Sequence, residues 1–366
     1  MANHLAAVAV AKGQPFEVQS RPTPRPGPGE LLIAVKAVAL NPVDGYMRNM
    51  GLFIPTYPTT VGLDISGLVL EVGDNVPTGD ADDDGVVFQP GITRVAAYGA
   101  SLWKSCDPDY GAFQERCIVS WQHAVPLPES VSWNQAATLP MAVEVGLNAW
   151  DTLGILRGGE GWTSPSKQAL LIWGASSSVG TMGVQSARLL REDTKSPFAA
   201  VYATAGAANH KYVSSLGADR VFDHKDPQVV DAIVSAAKED GLVIRYCFYA
   251  AGQLAPCQAV LSAFIGAESG ETKGAKIAAA PYVPPDAEKV DGVEVISLLP
   301  SADEELRLQQ FRYWMGTWLR ENLAKGLVRP SPEPTVVGKG LEFINAGIDK
   351  LSQGVSCTKL VVEVGV

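Results

Sequence analysis

The sequence has few cysteines and no concentration of basic residues, and each shortage excludes a class of protein. Its 366 residues include five scattered cysteines, an odd number that does not suggest a disulfide framework, so we expect a reducing, cytoplasmic setting. The formal net charge is −10, and lysine and arginine form no cluster. A nucleic-acid surface needs clustered basic residues to neutralise phosphates, so we expect no nucleic-acid partner.

Long apolar segments are missing as well. No apolar run approaches the ~20 residues that span a bilayer, and the first residues, MANHLAAVAVAKG, lack the basic start and the apolar length of a signal peptide. We therefore expect no membrane partner. The composition, 46% hydrophobic and 19% charged, is that of an ordinary globular protein, and 366 residues favour two domains.

The first 140 residues are rich in short β-like runs. ELLIAVKAVAL, SGLVLEV and RVAAY are interrupted by proline- and glycine-rich breakers such as RPTPRPGPGE. This pattern predicts a compact, mostly antiparallel, barrel-like domain. The acidic stretch TGDADDDG at residues 78–85 is expected to be an exposed loop.

From about residue 141, strand-like and helix-like segments alternate, which predicts a parallel sheet covered on both faces. The expected strands are ALLIW (169–173), AAVYAT (199–204), DRVFDH (219–224), VIRYCFYA (243–250), AKIAAA (275–280) and VEVISLL. The segment SADEELRLQQFRYWMGTWLRENLAKG then predicts one long helix, and TKLVVEV predicts a last strand.

The stretch WGASSSVG (173–180) joins the first of these strands to a helix. A dinucleotide-binding loop in this position normally carries glycines that let the backbone approach a pyrophosphate, whereas here three serines stand between Gly174 and Gly180. Amides at a helix start and serine hydroxyls favour a phosphate, although serines also cap ordinary helices. Because the ligand crevice of a doubly wound domain lies at its first turn, we expect this loop to bind phosphate.

The end of the second strand distinguishes NAD from NADP. An NAD-binding domain places an acidic residue there for the ribose 2′-hydroxyl, but YATAGAANHKY contains no Asp or Glu. A 2′-phosphate would be accommodated beside Asn209 and Lys211, so NADPH is the expected cofactor. The alternative is that Lys211 is an ordinary exposed helix residue.

Several motifs together resemble the medium-chain dehydrogenase/reductase superfamily. ALNPVDGYMR, GLDISGLVLEVGDNV, DYGAFQE, AATLP, WGASSSVG, SSLGAD and GLEFINAGIDKLSQGVSCTKLVVEV occur in this order over nearly the whole chain. The serine loop and ATAGAANHKYVSSLGA look most like the fungal branch that includes trans-acting enoyl reductases of polyketide synthesis. The resemblance implies an α/β fold: a GroES-like β-barrel catalytic domain (1–140 and 300–366) and a Rossmann domain with a doubly wound parallel sheet (141–299), with NADPH in the cleft between them.

The resemblance also allows the zinc question to be asked of particular residues. Zinc-dependent members carry a cysteine ligand where this chain has NPVD (41–44), and a His-Glu pair where it has GLD (62–64). Catalytic zinc needs about three N, S or O ligands, and the other candidates, Cys106, Cys117 and His123, include no closely spaced pair. We expect no metal, with Cys117 in a strand and His123 on a surface loop.

Without a Lewis acid, alcohol oxidation lacks a means of stabilising an alkoxide, whereas hydride transfer to an activated alkene or a quinone needs mainly orientation and one proton. Tyr46 matches a polar position near the nicotinamide ribose in the trans-acting enoyl reductases, and its phenol is either a proton donor or a packing group. Asn41 and Asp44 are expected to orient the loop and the ribose. Glu144 stands where relatives often carry Ser or Thr, at the nicotinamide end, and either acts on substrate or is structural.

Positional matching to the family assigns further residues to the cofactor. Asn209 would meet the adenosine ribose phosphate, and His224 would lie beside the adenine or else be a surface histidine. Ile265 would touch the backbone on the nicotinamide side, and Ser356 with Cys357 would close over the cofactor. The pyrophosphate would be contacted by Ser176, Ser177, Ser178 and Val179.

We therefore expect an NADPH-dependent, zinc-independent reductase of activated C=C bonds, an enoyl reductase that serves secondary metabolism. A quinone oxidoreductase is the first alternative, and a non-catalytic NADPH-binding or partner-docking protein is the second, because a fold does not guarantee catalysis. The substrate would be a small molecule, free or bound to an acyl carrier, and a polyketide synthase is the candidate partner. The protein is expected to be a monomer or a homodimer.

Overall fold

A computed structural model describes residues 2–79, 85–155, 167–266 and 274–365. The chain divides into two compact units, a first unit of residues 1–144 and 301–366 and a second unit of residues 145–300. The acidic loop expected at 78–85 lies largely outside the described residues. Among the residues that are described, no helix is both long and apolar enough to cross a membrane.

The first part of the chain, which is rich in proline and glycine, forms mostly strands, and the part from about residue 141 alternates between strands and helices. The strands are β1 (Asn3–Ala9), β2 (Glu17–Pro22), β3 (Glu30–Ala39), β4 (Thr59–Thr60), β5 (Asp64–Val72), β6 (Arg94–Tyr98), β7 (Arg116–Ser120), β8 (Ala124–Pro126), β9 (Gln168–Trp173), β10 (Phe198–Ala205), β11 (Arg220–Asp223), β12 (Val243–Tyr249), β13 (Ala275–Ala279), β14 (Val293–Ser297), β15 (Pro334–Lys339) and β16 (Lys359–Glu363). The α-helices are α1 (Pro42–Met50), α2 (Trp133–Ala136), α3 (Pro140–Leu153), α4 (Ser178–Glu192), α5 (His210–Ser215), α6 (Val229–Glu239), α7 (Leu254–Ser262), α8 (Glu304–Phe311), α9 (Arg320–Ala324) and α10 (Phe343–Ser352).

The first unit is built on antiparallel strands. Its larger sheet has the order β15-β16-β3-β5-β6-β8, with β7 also paired to β3, and a smaller sheet has the order β2-β1-β4. Within these sheets only β15 and β16 run parallel. The mostly antiparallel domain predicted from the first 140 residues is confirmed, and β15 and β16 complete its larger sheet, as the family resemblance implies for a GroES-like barrel.

The central strand β3 is buried along almost its whole length. Leu31, Ile33 and Val35 face the main core, and a shift in register against β5 follows Val35. Such a bulge places two successive residues against one partner residue and changes which side chains point inward. As a result, Val38 continues the core face.

Strand register brings three distant segments together at one end of the larger sheet. Ala39, the last residue of β3, pairs with Asp64 at the start of β5 and with Val361 in the middle of β16. The Leu40 amide donates a hydrogen bond of 2.9 Å to the Leu360 carbonyl. The residues that follow β3, open β5 and open β16 therefore meet at this end.

The predicted long helix after residue 300 is interrupted by a π-helix. Helices α8 and α9 flank a π-helical segment over Arg312–Leu319. Apolar spacing predicts a helix but does not distinguish the i→i+5 pattern of a π-helix from an α-helix. The side chains of Trp314, Met315 and Leu319 in this segment are fully buried.

The second unit contains a six-stranded parallel sheet with the order β11-β10-β9-β12-β13-β14. The chain builds outward from β9 to β11 and then crosses back to place β12 on the other side of β9. The order thus reverses at β9, and the crevice outside the carboxyl ends of β9 and β12 is where doubly wound sheets bind ligands. The predicted Rossmann fold is confirmed, and it places the serine loop at this crevice.

Candidate functional site

The turn between β9 and α4 requires its two glycines. Gly174 has φ of +79°, and a Cβ there would lie 2.6 Å from the Ala251 carbonyl oxygen. A Cβ on Gly180 would lie 2.3 Å from the Gly174 carbonyl oxygen. Gly174 therefore makes the tight turn, and Gly180 lets the helix pack closely on the strand.

A buried threonine on the neighbouring strand fixes this turn. The Thr204 hydroxyl accepts a hydrogen bond of 3.0 Å from the Gly174 amide. Its carbonyl accepts another, of 2.8 Å, from the Ala175 amide. Thr204 was not identified from the sequence, although a hydroxyl residue at the end of the second strand is a usable signal.

The three serines of the loop have different roles. Ser177 is the N-cap of α4, and its Oγ accepts a hydrogen bond of 3.1 Å from the Gly180 amide. Ser178 carries a buried hydroxyl that has no hydrogen-bond partner in the described part of the chain. Ser176 and Val179 are half-buried beside it. Capping, the alternative explanation of the serines, therefore accounts for Ser177 but not for Ser178.

The loop fits the phosphates of a dinucleotide. The first-turn amides of Ser178 and Val179 have no carbonyl one turn earlier in the helix, and the helix dipole favours an anion at this end. An unpaired buried hydroxyl costs free energy unless it finds a partner. A phosphate oxygen above the loop would be that partner for Ser178.

A second group of predicted residues lies where β10 and β11 end. Asn209 precedes α5 and is half-buried, while Lys211, the second residue of α5, is exposed. The exposed His224 lies across from them, with its Cε1 atom 3.8 Å from the position of a Cβ on Gly206. The structure thus brings Asn209 and His224 to the same edge of the sheet.

The register of the sheet adds a carboxylate that sequence reasoning missed. Asp223, the last residue of β11, pairs with Ala205, the last residue of β10. Its carboxylate accepts a hydrogen bond of 2.9 Å from the Lys225 amide. That bond is the main cause of a lowered pKa of Asp223, with smaller contributions from His224 and the Ala207 amide. The absence of an acid from β10 therefore does not exclude one at this edge, because parallel strands end at a common edge.

Ile265 does not lie at the carboxyl edge of the sheet, so the expectation that it touches the backbone on the nicotinamide side is wrong. Helix α7 leads away from the carboxyl end of β12, and Ile265 follows that helix. A Cβ on Gly292 would lie 2.8 Å from Ile265 Cδ1, and the Gly292 carbonyl accepts a hydrogen bond from the Ala275 amide at the start of β13. Ile265 therefore lies at the amino edge of the sheet, opposite the serine loop.

In the first unit, Asn41 and Asp44 of the NPVD stretch and Asp64 of the GLD stretch form a buried polar cluster with Lys359 of β16. The Lys359 ammonium lies 2.5 Å from Asn41 Oδ1 and 3.0 Å from Asp64 Oδ2. Asn41 Nδ2 donates to the same Asp64 oxygen at 3.0 Å. All four side chains are at most 4% exposed. Lys359 was not identified from the sequence, because its proximity depends on the pairing of β16 with β3.

Asp44 has an unusual environment within the buried polar cluster. Its Oδ2 accepts a hydrogen bond of 2.7 Å from the Asn41 amide at the start of α1, while Oδ1 is buried with no partner in the described residues. Burial raises the pKa of Asp44 to about 7; the Asn41 bond lowers this pKa, the Asp64 charge raises it and the Lys359 charge lowers it. Asp44 therefore gains or loses a proton near neutral pH.

The buried polar cluster extends to helix α3, which carries Glu144. Asp64 Oδ1 accepts a hydrogen bond of 2.7 Å from the Met141 amide in the first turn of α3. Glu144, one turn later, is 4% exposed. Burial raises the pKa of Tyr98, and the charges of Glu144, Asp64 and Asp44 raise it further. Glu144 therefore lies within electrostatic range of Tyr98, as do Asp44 and Asp64.

Tyr46 lies on the opposite side of α1 from Asp44. Its side chain is 51% exposed, whereas Asp44 is fully buried. Residues two apart on a helix do not share a face, and Met50, four residues on, is the exposed neighbour of Tyr46. The phenol is thus accessible to a ligand that approaches from outside the first unit.

Ser356 and Cys357 lie in the connection between α10 and β16. Ser356 is exposed and Cys357 is half-buried, with φ of +50° and a pKa raised by burial. They immediately precede Thr358 and Lys359. The segment expected to close over the cofactor is therefore attached to the buried polar cluster.

The remaining metal candidates, Cys106, Cys117 and His123, are all buried. Cys117 is fully buried in strand β7, as expected. The expectation that His123 lies on a surface loop is wrong: it is 2% exposed, its ring centroid is 4.1 Å from that of Phe311, and burial lowers its pKa to about 3. Among the described residues, no three His, Cys, Asp or Glu side chains are grouped to hold a metal ion.

Comparison with known proteins identifies the family of the chain. Residues 27–129 match the alcohol dehydrogenase GroES-like domain family. The chain is 40% identical over 365 residues to the trans-enoyl reductase tndF of Aspergillus flavipes, covering 98% of each chain. It is also 40% identical over 312 residues to the trans-enoyl reductase tazE of Aspergillus terreus, covering 84% of this chain and 95% of the relative.

Solved structures share the whole architecture at low sequence identity. The CurK enoyl reductase superposes with a TM-score of 0.73 at 17% identity, covering 99% of both chains. The quinone oxidoreductase of Coxiella burnetii superposes with a TM-score of 0.69 at 20% identity, covering all of both chains. At such identities the likeness shows the fold, while the fungal relatives show the family. The chain belongs to the medium-chain dehydrogenase/reductase superfamily, in the branch of the trans-enoyl reductases.

Proposed function

We propose that this protein is an NADPH-dependent, zinc-independent reductase that acts on activated C=C bonds as an enoyl reductase. The observation that carries the proposal is the buried polar cluster. At the two stretches that supply zinc ligands in other members, Asn41 and Asp64 are bonded to each other and to Lys359. An amide, a carboxylate and a lysine ammonium do not make the Cys and His donor set of a catalytic zinc.

The first unit is the proposed catalytic domain and the second unit the proposed NADPH-binding domain. The Ser178 hydroxyl and the first-turn amides of α4 would hold the pyrophosphate, with Ser176 and Val179 beside them. The bound nicotinamide supplies the hydride for the reduction. Asn41 and Asp44 are buried, so they would orient the ribose on its nicotinamide side by holding the start of α1. Ser356 with Cys357 would close over the cofactor.

The preference for NADPH over NADH is proposed from the residues at the edge of the sheet where β10 and β11 end. Asn209 and Lys211 offer an amide and an ammonium to a 2′-phosphate, and His224 would lie beside the adenine. The Asp223 carboxylate at the same edge is bonded to the Lys225 amide. The edge therefore combines a cation for the phosphate with a carboxylate that already serves the turn.

Tyr46 is the proposed proton donor. Hydride addition to the β-carbon of an enoyl substrate generates an enolate, which must receive one proton at the α-carbon. A phenol that is exposed on α1 can donate that proton or a hydrogen bond to the substrate carbonyl. Glu144, buried near Tyr98, would shape the nicotinamide end of the site rather than meet solvent.

The proposed substrate is an α,β-unsaturated acyl thioester, presented on an acyl carrier by a polyketide synthase in the cytoplasm. The relatives tndF and tazE are named trans-enoyl reductases, a name that describes action on a substrate held by another protein. Exposed apolar side chains continue from Tyr46 along the end of α1, at Met50, Leu52 and Phe53. This surface suits the apolar chain of such a substrate.

The experiment that tests the function measures NADPH oxidation by purified protein with a 2-alkenoyl pantetheine thioester and, separately, with a quinone. Turnover of the thioester with NADPH, unaffected by removal of metal with a chelator, supports the proposal. Turnover of the quinone alone would make the protein a quinone oxidoreductase. NADPH binding without turnover of either class would indicate a binding role, and stoichiometric zinc would contradict zinc independence.

A further inference from the structure

A single ammonium group connects the two stretches that hold zinc in other members of the family. Lys359 Nζ contacts Asn41 Oδ1 at 2.5 Å, in the NPVD stretch, and Asp64 Oδ2 at 3.0 Å, in the GLD stretch. We propose that Lys359 is a positioning residue, an internal cation that holds these stretches together where zinc-dependent members use a metal. The inference rests on the proposed zinc-independent function.

The chemistry of lysine suits this role. An ammonium is a compact charge with three donors and no acceptor, so it can bind oxygens from two segments at once. Lys359 is 4% exposed and Asp64 fully buried, and burial of charges is costly unless they are paired. Because apolar residues of similar volume often stabilise a fold at least as well as a buried ion pair, the pair calls for a role beyond stability.

The contacts of the buried polar cluster lead to the first turns of two helices. On one side, Asn41 precedes α1, and its amide donates to Asp44 Oδ2 at 2.7 Å. On the other side, Asp64 Oδ1 accepts from the Met141 amide of α3 at 2.7 Å. Helix α1 carries Tyr46, and α3 carries Glu144. A displacement of Lys359 therefore moves the supports of both residues.

The competing explanation is that Lys359 only neutralises the buried charge of Asp64. The variant Lys359→Met alone cannot distinguish the two, because it leaves Asp64 buried and unpaired, which destabilises the fold under either explanation. The double variant Lys359→Met/Asp64→Asn removes both charges together. It should be less destabilised than Lys359→Met, with a residual loss from Asn41 Oδ1, which is buried and loses its donor.

The test compares the double variant with the unaltered protein in turnover and in amide hydrogen exchange over residues 41–47. We expect kcat to fall roughly 10-fold or more, since small misplacements of reacting groups are costly, and exchange in α1 to accelerate. NADPH affinity should change less than kcat. A double variant with unchanged exchange and kcat would overturn the proposal, because charge compensation would then be the whole role.

A second variant keeps the proposal testable if the double variant does not fold. Lys359→Arg keeps the charge but replaces a compact ammonium with a longer planar group. We expect it to fold with faster exchange over residues 41–47 and a kcat lowered roughly 10-fold; unchanged exchange and kcat would overturn positioning. If neither variant folds, Lys359 is required by the fold as a whole, and positioning is again overturned.

The control is Lys339→Met, which removes an exposed lysine from the neighbouring strand β15 and should leave every measurement unchanged. Failure of the proposed function is separable from failure of this inference. An unaltered protein that turns over neither enoyl thioesters nor quinones contradicts the function alone, because exchange and unfolding still report on Lys359.

Discussion

The hydroxyl of Thr204 accepts a hydrogen bond of 3.0 Å from the Gly174 amide, across two parallel strands. Thr204 is fully buried, so Thr204→Val keeps the shape and leaves the Gly174 amide without its partner. An unsatisfied buried donor costs about 1–3 kcal/mol. We expect Thr204→Val to lose this much unfolding free energy and to bind NADPH more weakly, because the phosphate turn loosens. Denaturant unfolding and NADPH fluorescence titration measure the two effects, and Thr204→Ser, which keeps the hydroxyl, is the control.

Truncation of two adjacent serines should affect different properties, stability for Ser177 and NADPH affinity for Ser178. Ser177→Ala removes the N-cap of α4 and should cost about 1 kcal/mol of stability. Ser178→Ala removes a hydroxyl with no partner in the described residues, so stability should hold while the Kd for NADPH rises roughly 3- to 10-fold. Thermal unfolding and fluorescence titration of both variants give the comparison. Equal effects of the two substitutions on NADPH would contradict the assignment of Ser178 to the phosphate.

The sequence predicts the parts of this molecule that depend on local pattern. The strand AAVYAT and the loop WGASSSVG have the periodicity and position of a doubly wound domain, and the structure places them as β10 and as the turn after β9. The π-helix at Arg312–Leu319 escaped prediction because its apolar spacing resembles that of an α-helix. His123 was misplaced for a similar reason, since a polar residue beside a strand gives no sign of burial against Phe311.

The parts of the site that depend on long-range register could not be predicted. Lys359 reaches Asn41 only because β16 pairs with β3, a contact across more than 300 residues. Asp223 lies beside the end of β10 because β11 pairs with β10 and ends at the same edge of the sheet. Ile265 was assigned by position in a family, but α7 carries it to the opposite edge of the sheet. In each case the tertiary pairing, which no local pattern encodes, decides the location.

The NADPH preference predicts an asymmetric effect of charge reversal at Lys211. Lys211→Glu places a carboxylate where the 2′-phosphate is expected, so NADPH should bind at least about 10-fold more weakly, while NADH should change little. Fluorescence titrations with both cofactors test this. Lys238→Glu, the same change in the last turn of α6, is the control and should affect neither. Equal affinity of the unaltered protein for both cofactors would remove the basis of the NADPH proposal.

The proton-donor role predicts a loss of turnover in Tyr46→Phe. General acid catalysis contributes about 10²–10⁴-fold, so kcat for an enoyl thioester should fall by roughly 100-fold, with little change in the Kd for NADPH. Because Tyr46 is exposed, loss of its hydroxyl should not affect stability. Tyr282→Phe, at another exposed tyrosine, is the matched control. Full activity of Tyr46→Phe would show that the ring only packs.

The raised pKa of Asp44 predicts that the fold loses stability as the pH rises toward neutrality. Burial raises this pKa to about 7, from an ordinary value of 3.8. Between these values the folded state keeps a proton that the unfolded chain has released, so stability falls with increasing pH and levels off above about 7. Asp44→Asn cannot ionise, and one pKa unit corresponds to about 1.4 kcal/mol. The loss of unfolding free energy between pH 5 and pH 8 should therefore shrink by roughly 2–3 kcal/mol in Asp44→Asn. Denaturant unfolding at the two pH values measures it, and Asp291→Asn, at an exposed position, should retain the original pH dependence.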